Sequence, residues 1–343
     1  MAIHHYGYMI GLLLCQHFSA ISLRSRVYLL RYLFCIYSGM INQEYLYILP
    51  FSCPIMVLNM IMLVVVLIVL LIGSYTDIRT REVPDWVNYG LIFSALGIRL
   101  IYSAAESDWS YIIEGAFGFI VFLALAYAMF YAGQWGGGDA KMVMGLGAML
   151  GLRFNVLDFS ISFLANTFLV GAIYGLIWTL SLALIRWPVF KRELVKVMYS
   201  QKMIRIRKVV IISSIVIFIL AFLLDDLTQK ILVFTFSIFF LATYYLWVFI
   251  RAVENSCMYK LVEPERLTEG DWIAKDIIVG GKKICGPKDL GIEMKQIKML
   301  IKLKKQKKIN RILIKEGIPF VPSFLLAFIA TYLWGNLFLG ILG

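Results

Sequence analysis

The chain has 343 residues, 61% of them hydrophobic and only 16% charged, with a net charge of +12. A soluble domain is about 45–50% apolar and about 25% charged, so the composition excludes an ordinary soluble globule and indicates a polytopic membrane protein. In such a chain an excess of Lys and Arg belongs first to cytoplasmic loops. Nucleic-acid binding would call for a basic, aromatic-interleaved soluble module, and no nucleic-acid partner is expected.

Residues 1–55 differ in character from the rest of the chain. They hold all the histidines, His4, His5 and His17, three of the five cysteines, Cys15, Cys35 and Cys53, and apolar stretches broken by Arg24, Arg26 and Arg31. A signal peptide carries its cations before the apolar core, and here they come after it. An upstream extension from a misassigned start codon is the favoured reading, with the clean apolar text beginning near Met56 and Met60. The cysteines show no CxxC spacing, so a zinc knuckle is not supported, and no metal or organic cofactor is implied.

About 20 apolar residues cross the hydrocarbon core. By that measure eight spans are expected, at roughly 56–74, 87–105, 111–132, 141–153, 158–186, 209–224, 230–250 and 318–341, giving an all-helical bundle. The fourth is short and contains Gly145, Gly147 and Gly151, small residues that let neighbouring helices approach. Loop charges alternate as the positive-inside rule requires. Arg79 and Arg81 lie inside, Glu106 and Asp108 outside, and the Arg186–Lys208 loop inside. Asp225 and Asp226 then lie outside, and the lysine-rich residues 251–317 inside. These last form a small α+β cytoplasmic domain before the final helix (318–343), with a β element over 271–284 and a helix over 294–303. The cluster Lys302, Lys304, Lys305, Lys307, Lys308 and Arg311 is read as lipid-facing, worth about 1 kcal/mol per residue near anionic lipid. Trp86, Trp109, Trp135 and Trp187 are expected near the interfaces.

Two acids stand at the ends of these spans. Asp77 follows the first, in YTDIRTREVPDWVN (75–88). Asp139 precedes the fourth, in QWGGGDAKMVMG (134–145), after Gly136, Gly137 and Gly138. A carboxylate between membrane-grade segments is costly and marks a functional site by default, and the missing Cβ atoms let an extended peptide approach. A glycine-rich turn with a helix-capping Asp139 is the other reading of that stretch alone. The charge alternation places both acids on the cytoplasmic side. Two carboxyls a few Å apart cannot both ionise and can share a proton, as in aspartic proteases. Pro84 is expected to open the next helix. Asn88 and Lys141 are auxiliary candidates, Lys141 as a partner for a dyad aspartate or as a snorkelling cation.

Gly136-Gly137-Gly138-Asp139 resembles the Gly-x-Gly-Asp signature of membrane aspartic proteases. Asp77 with Val83-Pro84 and Asn88 resembles the first catalytic aspartate of the prepilin peptidase branch, especially its archaeal prepilin and preflagellin peptidases. The likeness runs from about Met60 to Gly343, including the tail Gly317-Ile318-Pro319-Phe320-Val321-Pro322. Bacterial members usually carry Ile-Pro-Asn where this chain has Val83-Pro84-Asp85, and many carry paired CxxC motifs. The resemblance implies a membrane peptidase domain (56–250) that removes leader peptides from prepilins or preflagellins, with Asp77 and Asp139 catalytic and no cofactor. Precursor peptides and membrane lipid are the implied partners. Several spans beyond a minimal peptidase core point to prepilins. Two other classes stay open: a presenilin-like intramembrane protease, and a secondary transporter with buried acids.

Overall fold

The structure, a computed structural model, describes residues 53–153, 158–289 and 291–342. The expectation for the N-terminal extension therefore lies almost wholly outside the described residues.

The chain is a helical bundle. The first helices are α1 (Cys53–Thr80), α2 (Asp85–Glu106), α3 (Ser110–Tyr131), α4 (Gly137–Leu150) and α5 (Phe159–Ile185). Then come α6 (Trp187–Met198), α7 (Gln201–Leu220) and α8 (Leu227–Val253). Among the described residues, six helical segments are long and apolar enough to cross a membrane: Leu58–Thr80, Asp85–Glu106, Ser110–Tyr131, Phe159–Ile185, Gln201–Leu223 and Leu227–Met258. Their outward faces carry large apolar side chains such as Met60, Val64, Phe93, Ile177 and Phe239, as lipid requires.

Two of the eight expected spans are short. α4 has 14 residues, about 21 Å at 1.5 Å per residue, less than the ~30 Å hydrocarbon core. The stretch expected as one span over 318–341 is broken. Helix α10 (Val321–Trp334) ends at Gly335, whose φ is 68°, and α11 (Leu337–Leu342) follows. The left-handed turn suits glycine, and Asn336 accepts hydrogen bonds from the amides of Phe338 and Leu339 to start the next helix.

α4 is the centre of the bundle. Ala140, Met142, Val143 and every residue from Gly145 to Met149 are buried, because α1, α2, α3 and α5 surround it. Glycine makes this possible: a methyl on Gly147 would lie 2.6 Å from the Gly118 carbonyl oxygen of α3, and one on Gly145 would lie 2.7 Å from Leu91 of α2. Small residues of this kind permit close helix approach. The carbonyls that a short buried helix leaves unpaired must find donors. Arg99 of α2, itself buried, donates to the Ala148 and Met149 carbonyls at 3.0 and 2.9 Å and to Tyr111 at 2.9 Å. Ser160 donates to the Gly151 carbonyl.

Residues 259–315 build the small mixed module. Strands β1 (Tyr259–Val262), β2 (Trp272–Ile273), β3 (Ile277–Val279) and β4 (Lys282–Cys285) precede α9 (Met294–Lys305) and β5 (Ile312–Lys315). One antiparallel sheet has the order β1-β5-β2, and β3 and β4 form a hairpin. Leu267, Ile273, Cys285, Ile292, Ile297, Leu300, Ile312 and Ile314 make a separate core. The module touches the bundle beside the α3–α4 turn, where a methyl on Gly133 would lie 3.1 Å from the Trp272 ring. Within the lysine cluster, Lys304 is neutralised by Glu265 and Glu263 at 2.6 and 3.0 Å.

Candidate active site

Asp77 reaches its place through simple periodicity. On α1, Leu58, Met62, Val66 and Leu70 are buried four residues apart, and Asp77 continues this face one turn beyond Gly73. The apolar stripe that packs α1 into the bundle thus carries the carboxylate inward with it. α1 then ends with the Arg81 amide donating to the Asp77 carbonyl at 2.9 Å, Arg81 itself having φ 61°. This is the left-handed C-terminal turn that closes many helices.

Asp77 is only 5% exposed. Its Oδ2 accepts a hydrogen bond from the Val321 amide at 2.9 Å, at the N-terminus of α10. The first amides of a helix have no partner within it, and here a side chain from α1 supplies one. Pro322 sits in the first turn of α10, where its missing N–H costs nothing. Arg81 reinforces the join: its guanidinium lies over the Trp178 ring of α5 at 5.2 Å and points a nitrogen at the Gly317 carbonyl, 3.4 Å away.

Asp139 is the third residue of α4, and its Oδ2 accepts from the Gly136 amide at 3.0 Å. The capping reading of this residue is therefore seen in the structure, and it coexists with a place within electrostatic reach of Asp77. The glycines divide the work. Gly136 supplies the capping amide. Gly138 faces the α1–α2 loop, since a methyl there would sit 3.5 Å from the Val83 nitrogen. Gly137 has only Phe130 at 4.0 Å and is the exposed one.

The auxiliary candidates separate. Pro84 is the N-cap of α2, its carbonyl accepting from the Val87 amide at 3.0 Å. Lys141 pairs with neither Asp77 nor Asp139: its Nζ lies 2.6 Å from Asp85 and 5.3 Å from the Tyr89 ring centroid. Asn88 is fully buried, and neither its Nδ2 nor its Oδ1 has a hydrogen-bond partner. It lies on the α2 stripe with Leu91, Ala95 and Arg99 that faces α4. Trp135, expected at an interface, is instead buried, its ring 5.5 Å from Phe324 and 6.2 Å from Phe320. These contacts fix the GGGD turn against the chain's tail.

Fold and site together define a polytopic helical membrane protein in which two carboxyls, from the ends of two helices, lie within electrostatic reach of each other on the side that carries the small mixed module. Comparison with known proteins finds similarity over part of the chain. The model of the type IV leader peptidase family matches residues 64–176, a stretch that includes both acids. Preflagellin peptidases from three methanogens are similar. That of Methanocaldococcus jannaschii is 40% identical over 91 residues, 26% of this chain and 38% of the relative. Those of Methanococcus maripaludis and Methanococcus voltae are 37% and 35% identical over 81 residues, 24% of this chain and 35% and 34% of theirs. The matches thus span little more than a third of each relative's length. Over this stretch the resemblance to archaeal prepilin and preflagellin peptidases is borne out. No solved structure matches the chain.

Proposed function

We propose that the chain is a membrane aspartic endopeptidase that removes the leader from preflagellin or type IV prepilin-like precursors, with Asp77 and Asp139 as its dyad. The observation that carries this reading is the meeting of the two acids across α1 and α4, inside the stretch that matches the leader peptidase family. All three relatives bear the name preflagellin peptidase, which turns the substrate reading towards preflagellins. The family match favours neither an intramembrane protease of the presenilin kind nor a transporter.

In this reading residues 56–250 form the peptidase domain, 251–317 a cytoplasmic domain and 318–343 the closing membrane segment. In this reading the dyad faces the cytoplasm of a cell membrane, a placement the loop charges support. One aspartate accepts a proton from a water whose oxygen adds to the scissile carbonyl carbon. The other, protonated, hydrogen-bonds the carbonyl oxygen as charge builds there. Collapse of the intermediate breaks the C–N bond, and the leaving nitrogen takes the proton. The exposed side of Gly137 is where an extended backbone can come closest to Asp139.

The test is precursor cleavage in membranes, with preflagellin and prepilin offered separately. Asp77→Asn and Asp139→Asn keep the shape of the side chain and remove the base. Each should lower the rate by roughly 10²–10⁴-fold, and the double variant should lose little more, since groups acting as a unit fail together. Asp225→Asn, in an exposed loop, should cleave normally. Substantial processing by purified Asp139→Asn protein would sink the aspartic mechanism.

A further inference from the structure

Among the described residues, five buried side-chain polar atoms have no hydrogen-bond partner: Ser74 Oγ, Asn88 Nδ2 and Oδ1, Tyr174 Oη and Ser214 Oγ. Buried polar groups are nearly always paired, and each exception calls for an explanation. Their distribution is uneven. Ser74 stands one turn before Asp77 on α1, and Asn88 lies on the face of α2 turned to α4. Only Ser214, on α7, lies in another part of the bundle.

Tyr174 is the most informative of these. It belongs to α5, a helix that contributes neither aspartate. Its hydroxyl is within electrostatic reach of Asp77 and Arg81. Its ring is held at 5.9 Å from the Trp178 ring, and Trp178 in turn is covered by the Arg81 guanidinium at 5.2 Å. One turn earlier, Gly171 brings α5 against Phe320: a methyl there would lie 2.7 Å from the ring. Phe320 precedes the residue whose amide holds Asp77. Tyr174 is therefore held on a helix that packs against the segment whose amide holds Asp77, yet its hydroxyl makes no hydrogen bond to that carboxylate or to anything else.

We infer that the Tyr174 hydroxyl is a further catalytic group of the proposed peptidase, donating a hydrogen bond to the oxygen of the scissile carbonyl. The inference rests on the aspartic reading above and adds a donor to it. A buried hydroxyl beside the acid, outside direct hydrogen-bonding reach of it, lets the two groups hold one substrate carbonyl between them. In the ground state the carbonyl accepts this bond weakly. As the water oxygen adds to the carbon, negative charge gathers on the carbonyl oxygen and the bond strengthens. A preorganised donor in a water-poor site stabilises that charge most effectively. No proton leaves the tyrosine. It donates a hydrogen bond throughout, while the aspartates carry the protons.

The test uses the full chain purified in detergent, with Tyr174→Phe, which keeps the ring and its packing on Trp178. Cleavage of the precursor gives kcat and KM. Two peptide isosteres of the cleavage site give the second readout: a hydroxyethylene, which carries the oxygen of the tetrahedral intermediate, and a reduced amide, which lacks it. Loss of one such donor should lower kcat by roughly 10²-fold with little change in KM. Affinity for the hydroxyethylene should fall in parallel, and affinity for the reduced amide should hold. A wild-type kcat, or an equal loss of affinity for both isosteres, would overturn the inference. Asp77→Asn and Asp139→Asn are measured alongside. If they are inactive and Tyr174→Phe is wild type, the tyrosine inference alone falls. If they cleave, the aspartic reading falls and takes this inference with it.

Discussion

The two ends of α4 are built from similar materials and finished in opposite ways. At its C-terminus a buried cation, Arg99, spends its donors on three backbone carbonyls. Beside it Glu114 and Arg153 form a two-pronged ion pair at 2.7 and 3.0 Å. At its N-terminus two carboxyls stand close together, and unpartnered polar atoms of Ser74, Asn88 and Tyr174 lie nearby. Charge inside a membrane bundle is therefore not in itself a sign of chemistry. A charged group whose hydrogen bonds are saturated holds the scaffold together. A charged group among unsatisfied neighbours keeps capacity for a substrate.

This contrast can be broken or sharpened by mutation at the saturated end. Arg99→Met should produce the largest loss of stability, because it strands the Ala148 and Met149 carbonyls in a buried setting. About 2–4 kcal/mol is expected, read as a lowered unfolding midpoint in detergent, while cleavage per folded molecule stays near wild type. If the variant melted normally and failed to cleave, the division between the two ends would be wrong. Gly147→Ala tests the packing that holds α4 in the centre. Its methyl would meet the Gly118 carbonyl oxygen at 2.6 Å and the Phe122 side chain as well. Overpacking of this kind costs about 1–3 kcal/mol, and the same melting experiment reports it. Lys141→Met should do least. The Asp85 pair is partly to mostly exposed, 33% and 64% for the two side chains, so less than about 1 kcal/mol is at stake. The cleavage rate should barely change, whereas a large drop would return Lys141 to the catalytic centre.

Much of the fold was legible in the sequence because membrane helices announce themselves through apolar length, and loop charge orders them. The two acids stood out for the same reason, as charges at the ends of apolar text. The local role of Asp139 was also legible, since an acid three residues after a glycine is a common capping pattern. The tyrosine hydroxyl and the arginine cap were not. Arg99 reaches residues 49 and 50 positions away, and Tyr174 sits on α5, which Gly171 sets against Phe320. Neither contact has a periodicity to betray it. Arg81 was read as a topology signal alone, though its side chain also ties α1 to α5 and to the tail. The partner of Lys141 was left open, because whether it meets Asp85 or one of the candidate acids depends on how α2 and α4 are aligned. The break in the last span did have a signal, since Gly335-Asn336 is a stop followed by a start, and apolar length outweighed it.

The hydrogen bond from Val321 to Asp77 joins residues 244 positions apart. At a synthesis rate of about 5–20 residues per second, the amide leaves the ribosome roughly 10–50 s after the carboxylate it will hold. Throughout that interval the acid is already in the membrane without the helix end that fixes it. A nascent chain therefore has both acidic side chains long before it has a finished site, and a message truncated after the small mixed module would yield a protein that inserts but does not mature. The candidate site is thus completed from both ends of the described chain, and its last backbone donor is made long after its first acid.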